Sequence, residues 1–359
     1  MDVPRKMKAL VCHGPGDIRL QEVETPIPGP GEILVKVLAT GICASDIKCY
    51  LGAPLFWGDE HRAPYMEAPS ILGHEFIGEV VMLGDGAADR HGVEEGDLVV
   101  SEQIVPCWKC RYCRTGRYWL CQRNYIYGFK RATQGSWAEY MKFPADAIVH
   151  KVPKEVDPSK GAMIEPLSCS IHAVERGEIR LGDVVVIAGA GTLGLGMVAV
   201  AKLKGPGLLI AVDMKDYRLQ VAKALGADLT INPSKEDPVE RVLELTDGYG
   251  CDVYIEATGH PSGVIQGLRM IRKLGTFVEF SVMAEEVTVD WTIIGDSKEL
   301  NIHGAHLGPY LYPLAIEYIA KGVVDVSPII THKFKLEDFS KAIEMVHKGE
   351  ESIKALFIP

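Results

Sequence analysis

The stretch Val184-Val185-Val186-Ile187-Ala188 runs directly into Gly189-Ala190-Gly191-Thr192-Leu193-Gly194, and the junction between them decides the fold. Five apolar residues without polar alternation describe a strand buried on both faces, as in a parallel sheet. The six that follow fit G-x-G-x-x-G in the context the motif needs: after a strand and at the start of a helix, predicted over 192–204. Gly189 permits a tight turn, Gly191 lets the backbone approach a pyrophosphate, and Gly194 allows close helix–strand packing. Backbone N–H groups at Thr192 and Leu193 open the helix and face the phosphates. The alternative is a glycine-rich turn with no ligand.

Downstream, short apolar strands alternate with amphipathic segments. Leu208–Asp213, the segment near Leu229, the segment at Val253 and the segment at Thr276 read as strands, with Tyr217–Leu225 and Val239–Thr246 as helices. This alternation predicts a doubly wound parallel sheet. Asp213 closes the second strand, 22 residues after Gly191. A carboxylate there accepts hydrogen bonds from the adenosine ribose hydroxyls and repels a 2′-phosphate, which favours NAD over NADP. Arg218 then flanks the adenosine.

Upstream of about residue 164 the chain reads as β-rich. Met7–Cys12, Glu32–Ala39, Phe76–Leu83 and Asp97–Ser101 are strand candidates, separated by PIPGPG (26–31) and by Gly84, Gly86, Gly92 and Gly96. After about residue 305, helices are predicted at Leu311–Lys321 and Asp338–Lys348, followed by a short apolar end, ALFIP. These roughly 50 residues are too few for a domain and are expected to return to the first one. The expected division is 1–168, 169–305 and 306–359.

The formal net charge is −10 with no long basic run, which argues against a nucleic-acid or anionic-membrane surface. MDVPRKMKAL lacks the apolar segment of a signal peptide, and no apolar run is long enough to span a bilayer. The expected location is cytoplasmic, so the nine cysteines suggest metal ligands and buried thiols before disulfides. Cys107, Cys110, Cys113 and Cys121 follow C-x2-C-x2-C-x7-C, a spacing that surrounds one tetrahedral zinc ion with no open position and so shapes a loop.

A second, incomplete ligand set is scattered. Cys43 lies in TGICASD, His74 and Glu75 in ILGHEF, and Glu165 in IEPLSC. Sulfur, imidazole and carboxylate make a catalytic zinc set that leaves one position free. A metal there lowers the pKa of a substrate hydroxyl, which hydride loss to a nicotinamide requires. Ser45 is placed to pass the hydroxyl proton outward, and Asp46 to orient His74. Loop capping is the alternative for both.

These segments, together with GHEFIGEV, EPLS and GAGTLG, resemble the zinc-containing medium-chain alcohol/polyol dehydrogenases over nearly the whole length. The resemblance implies a GroES-like β-rich catalytic domain, a Rossmann domain before the C-terminal return, an active site in the cleft between them, one catalytic and one structural zinc, NAD, and a dimer or tetramer. A glutamate in EPL together with GHE is similar to the sorbitol and threonine dehydrogenase branches, which implies Cys43, His74, Glu75 and Glu165 around the catalytic zinc. Which glutamate binds directly stays open, and Cys169 is a rival read as buried. Tyr50 matches a substrate-lining tyrosine or is a packed aromatic. Lys48 stands where many relatives have a relay histidine, and Leu307 where sorbitol dehydrogenases carry an arginine; His306 would then supply polarity.

The long segment around CYLGAPLFWGDEHRAP, with SEQIVPCWKCRYC and EPLSCSIHAVER, resembles the erythritol/L-threitol dehydrogenases of bacteria. That implies oxidation of a four-carbon polyol to erythrulose. The loop 51–69 serves either the pocket or a subunit contact. L-Threonine 3-dehydrogenase, another polyol dehydrogenase, a broad secondary alcohol dehydrogenase and a zinc- and NAD-binding protein without turnover are the competing readings.

Overall fold

The computed structural model of the chain describes residues 3–283, 285–349 and 351–359. It contains two compact units, Met1–Glu165 with Tyr312–Pro359, and Pro166–Leu311.

The unit Pro166–Leu311 is a Rossmann fold built on one six-stranded parallel sheet. Across the sheet the strands run Leu229–Ile231, Leu208–Val212, Val184–Ala188, Cys251–Glu256, Ile271–Glu279 and Asn301–Gly304. In chain order that is 3-2-1-4-5-6, and the order reverses between Val184–Ala188 and Cys251–Glu256. Ligands of such sheets bind outside the carboxyl ends of the strands at this reversal. Val185 pairs with Leu209 on one side and Val253 on the other, so this strand has neighbours on both edges as well as helices over its faces. That explains its unbroken apolar run. Helices Thr192–Lys202, Asp216–Ala224, Pro238–Leu245 and Pro261–Met270 alternate with the strands.

The other unit is β-rich and mostly antiparallel, with Ile330–Phe334 and Lys354–Phe357 paired in parallel. A seven-stranded sheet takes the order Val149–Val152, Leu98–Ser101, Phe76–Leu83, Ile33–Gly41, Lys354–Phe357, Ile330–Phe334, with Tyr140–Phe143 also paired to Ile33–Gly41. The chain end returns as a central strand: Leu356 pairs with Gly41 and Phe357 with Thr40. A three-stranded sheet (Asp17–Glu24, Lys6–Gly14, Ser70–Ile71) packs its apolar side, including Leu10 and Ile71, into a core with Leu72, Trp137 and Phe357.

The division differs slightly from the one expected at 168/169 and 305/306. Residues 166–168 and 306–311 group with the Rossmann sheet. The physical reason is a close approach: a Cβ at Gly308 would meet Ser168 Oγ at 2.2 Å, and His172 Nδ1 lies 2.8 Å from the Leu307 carbonyl. The helix Ile164–Arg176 runs without a break through the expected boundary.

Candidate metal centre and dinucleotide turn

Cys43 is the N-cap of the short helix Ala44–Tyr50. Its backbone N–H donates to Asp46 Oδ2 at 2.9 Å, so the fully buried Asp46 fastens the start of the helix. The other oxygen, Asp46 Oδ1, lies 3.5 Å from His74 Nδ1; both atoms are buried and neither has another hydrogen-bond partner. Burial opposes charge on His74, but Asp46 outweighs it and holds the imidazole pKa well above the usual histidine range. Asp46 therefore fixes the ring by its Nδ1 edge and leaves Nε2 for a ligand.

Gly73 and Gly41 make room for the next two residues. Gly73 has φ +96°, and a Cβ there would strike Trp137 Cδ1 at 2.4 Å, which fixes the approach to His74. A Cβ at Gly41 would sit 1.9 Å from Glu75 Oε2. Cys43, His74 and Glu75 converge, with one potential ligand atom from each within 4.8 Å of the others. A thiol, an imidazole and a carboxylate so placed fit a zinc ion with one coordination position left.

Glu75 is also held from behind. Lys354 Nζ lies 2.5 Å from Glu75 Oε2 and 3.2 Å from the Ile42 carbonyl. Burial works against the lysine's charge, and Glu75 followed by Cys43 outweighs it, so its pKa lies above the ordinary value. Glu165 is buried but is not one of the three converging donors; its Oε1 accepts from Gln103 Nε2 at 2.6 Å. Ser45 is half-buried on the helix that Cys43 caps, and Tyr50 packs against the core from its last turn. Cys169 is buried, and His306 is exposed in the Rossmann unit.

The loop 51–69 forms the short helix Pro54–Trp57 and an aromatic cluster beside His74. Phe56 stacks on Phe129 at 5.0 Å, Tyr65 lies 6.0 Å from the same ring, and Phe129 lies 5.6 Å from His74. Trp57 Nε1 donates to the Cys49 carbonyl at 2.7 Å, which pins the loop to the helix carrying Ser45.

In the lobe, Cys107, Cys110, Cys113 and Cys121 also bring ligand atoms within 4.8 Å. The backbone N–H groups of Cys107 and Cys110 each donate to a lobe sulfur at 3.3 Å. Backbone hydrogen bonds from Cys113 and Gln122 pull the Cys110 thiol down to about 6, ready as a thiolate at neutral pH. Four sulfurs with no imidazole or carboxylate fit a closed tetrahedral zinc site.

At the dinucleotide turn the three glycines divide the work. Gly189 has φ +96°, and a Cβ there would meet the Ala257 carbonyl oxygen at 2.5 Å. A Cβ at Gly194 would lie 1.7 Å from the Gly189 oxygen, which sets the helix against the turn. Gly191 has open space where its Cβ would be, and Thr192 begins the helix beside it. Asp213 Oδ2 accepts from Ala190 N–H at 2.8 Å, tying the acidic residue to the glycine turn. Arg218 Nη1 is 3.9 Å from that carboxylate and its Nε donates to Tyr217 OH.

The family model for the alcohol dehydrogenase GroES-like domain matches residues 29–154, and that for zinc-binding dehydrogenases matches 192–321. The chain belongs to the zinc-binding dehydrogenases. This dehydrogenase is 54% identical over 357 residues to an erythritol/L-threitol dehydrogenase of Mycolicibacterium smegmatis, covering 99% of both chains. It is 39% identical to an L-threonine 3-dehydrogenase of Pyrococcus horikoshii, covering 96% of this chain and 97% of the other. A zinc-binding dehydrogenase from Sinorhizobium meliloti, solved with NADP, superposes with TM-score 0.88 at 30% identity and covers 99% of each chain. None of the described helices is long and apolar enough to cross a membrane.

Proposed function

We propose that this dehydrogenase oxidises a secondary hydroxyl of a small polyol of the erythritol/L-threitol type to the corresponding ketose, using NAD and a zinc ion. The convergence of Cys43, His74 and Glu75 carries the metal-dependent reaction. The erythritol/L-threitol substrate class rests on the near-full-length 54% identity to a dehydrogenase of that name.

Cys43 and His74 hold the catalytic zinc together with a carboxylate from Glu75 or Glu165. A zinc ion in such a site polarises a bound hydroxyl and lowers its pKa. Asp46 keeps the His74 ring turned so that Nε2 faces the metal side. Ser45, one residue into the helix, receives the substrate's hydroxyl proton. Tyr50 and His306 contribute to substrate binding, and the aromatic cluster of Phe56, Tyr65 and Phe129 keeps water from the back of His74. Gly189, Gly191, Thr192, Leu193 and Gly194 bind the pyrophosphate, and Asp213 with Arg218 the adenosine; the Asp213 carboxylate, held by Ala190 N–H, would repel a 2′-phosphate, which favours NAD as the cofactor. Cys107, Cys110, Cys113 and Cys121 hold the structural zinc. A dimer or tetramer would form through the edge strand Asn301–Gly304, the last in its sheet.

The test is NADH formation by purified enzyme on erythritol, D- and L-threitol, xylitol, sorbitol and L-threonine, with and without EDTA. Turnover on a tetritol, abolished by EDTA, is the expected result. Turnover on threonine alone would move the enzyme to the branch represented by the 39%-identical relative.

A further inference from the structure

The strand Cys251–Glu256 ends on a carboxylate, and Glu256 is fully buried. The turn that follows supplies its hydrogen-bond donors. Glu256 Oε1 accepts from the Thr258 N–H at 2.8 Å, from the Thr258 hydroxyl and from the Gly259 N–H at 3.2 Å. Oε2 shares that last donor at 3.3 Å. The Thr258 hydroxyl oxygen accepts from the His260 N–H at 3.0 Å, and His260 is the N-cap of the helix Pro261–Met270. Gly263 on that helix gives the carboxylate its room, since a Cβ there would lie 2.7 Å from Glu256 Oε1. The side chain therefore folds back on its own chain and closes the turn 257–259.

That turn stands against the glycine turn. The Ala257 N–H donates to the Ala188 carbonyl at 2.8 Å, which joins two strand ends across the point where the sheet order reverses. A Cβ at Gly189 would meet the Thr258 nitrogen at 3.0 Å as well as the Ala257 oxygen, so two backbones touch there. A dinucleotide crosses such a sheet at the reversal, with one half on each side. Asp213, which follows the strand Leu208–Val212, takes the adenosine half. The nicotinamide half then falls on the side of Cys251–Glu256 and its turn.

A carboxylate suits this post because both of its oxygens accept and neither needs to donate. An amide keeps one acceptor and sets an NH2 among the donors of the turn. A methyl group strands the Thr258 and Gly259 N–H groups inside the protein, which is costly enough to open the turn to water.

We propose that Glu256 is a positioning residue for the nicotinamide half of the cofactor, acting through the turn 257–259. The proposal rests on the reading of Gly189–Gly194 and Asp213 as the NAD site. Glu256 acts only through the backbone and the hydroxyl that it holds.

The experiment measures binding of NADH, by its fluorescence, and of ADP, by calorimetry. The proteins are wild type, Glu256→Ala, Glu256→Gln, Thr258→Val and Tyr254→Phe. ADP has the adenosine and the pyrophosphate without the nicotinamide half, so it reads the Asp213 side and the glycine turn alone. Tyr254→Phe removes a buried hydrogen bond to the Gly263 carbonyl, two residues back on the same strand, and leaves the donors of the turn untouched. Glu256→Ala should bind NADH about 5–150-fold more weakly, because restoring a turn with stranded N–H groups is drawn from binding. It should bind ADP as wild type does. Glu256→Gln and Thr258→Val should show smaller losses in the same pattern, and Tyr254→Phe should bind both ligands as wild type does. Should Glu256→Ala not fold, Thr258→Val carries the test. Wild-type NADH affinity in the variant that carries the test overturns the proposal. An equal loss of NADH and ADP, the mark of general damage to the fold, overturns it too, as does a loss in Tyr254→Phe as large as in the Glu256 variants. A wild-type enzyme that binds neither NADH nor ADP overturns the NAD reading and this proposal together.

Discussion

Replacing Lys354 with methionine keeps an unbranched apolar stem and removes one charge from a pair whose side chains are 2% and 3% exposed. Glu75 then stays buried with its 2.5 Å partner gone, and the Ile42 carbonyl loses its 3.2 Å donor. Breaking a buried pair from one side costs about 3–5 kcal/mol, because the orphaned charge keeps its desolvation penalty. For domains of roughly 150–250 residues each kcal/mol moves the melting midpoint by about 2–4 °C. The expected drop is therefore about 6–20 °C in thermal unfolding followed by far-ultraviolet circular dichroism. The double variant Lys354→Met/Glu75→Gln should recover part of the loss, since an uncharged amide is cheaper to bury. The pH dependence has a definite sign. The folded-state pKa of Lys354 is raised above 10.5, so its contribution is complete below that value and fades only as pH rises through the folded value. The gap between wild type and Lys354→Met should be flat from about pH 6 to about pH 9. A midpoint within about 2 °C of wild type, or a gap that closes as pH falls towards 6, would refute the reasoning.

Three other outcomes are expected. Asp213→Asn removes the charged acceptor beside Ala190, so KM for NAD should rise about 10–150-fold, the equivalent of roughly 1.5–3 kcal/mol, while KM for NADP changes little or falls; equal KM changes for both would contradict the ribose assignment. Cys110→Ser should lose one zinc equivalent by metal analysis and lower the melting midpoint, with cobalt uptake at Cys43 retained; loss of both metals at once would count against separate sites. Burial and then the neighbouring Glu256 push Glu279 up to about 7, so its folded-state penalty is absent below the ordinary value of 4.5, grows as pH rises from there to the folded value, and is level above it. Glu279→Gln should accordingly be more stable than wild type by about 1–3 kcal/mol at pH 8 and equal to it near pH 4.5, read from urea unfolding; a pH-independent difference would sink this.

Local pattern was enough for much of the architecture. The strand–turn–helix at 184–202 lies where VVVIAGAGTLG placed it, because a doubly buried strand and a glycine turn are each dictated by residues in sequence contact. Phe76–Leu83 forms over its expected span for the same reason. Strand Asp17–Glu24 was not read, since DIRLQEVE is polar and is held by its pairing with Lys6–Gly14. Helix Pro261–Met270 was also missed; Gly263 and Gly267 weaken its local signal, and Gly267 is there to admit the Tyr254 ring, where a Cβ would come within 2.3 Å.

At the site, Cys43, His74, Glu75 and the four lobe cysteines were legible as chemistry-bearing residues, and Asp46 as the partner of His74. Gln103 and Lys354 were not. Only folding brings the Gln103 amide to the Glu165 carboxylate. Lys354 carried a signal that went unused: a lone lysine opening the apolar strand KALF must either reach water or meet a buried anion. The glycines facing Glu75 and Trp137 likewise acquire meaning only from what the fold packs against them.

The central claim is that the Cys43–His74 site holds the metal on which polyol oxidation depends. It is tested most directly by measuring zinc content and erythritol- or threitol-dependent NADH formation together in wild type, Cys43→Ala and His74→Ala. The account predicts two zinc ions per wild-type chain, one in each variant, folded variants by circular dichroism, and a fall in kcat of at least about 1000-fold. A variant that has lost its Cys43-site zinc and still oxidises the polyol at the wild-type rate would contradict it.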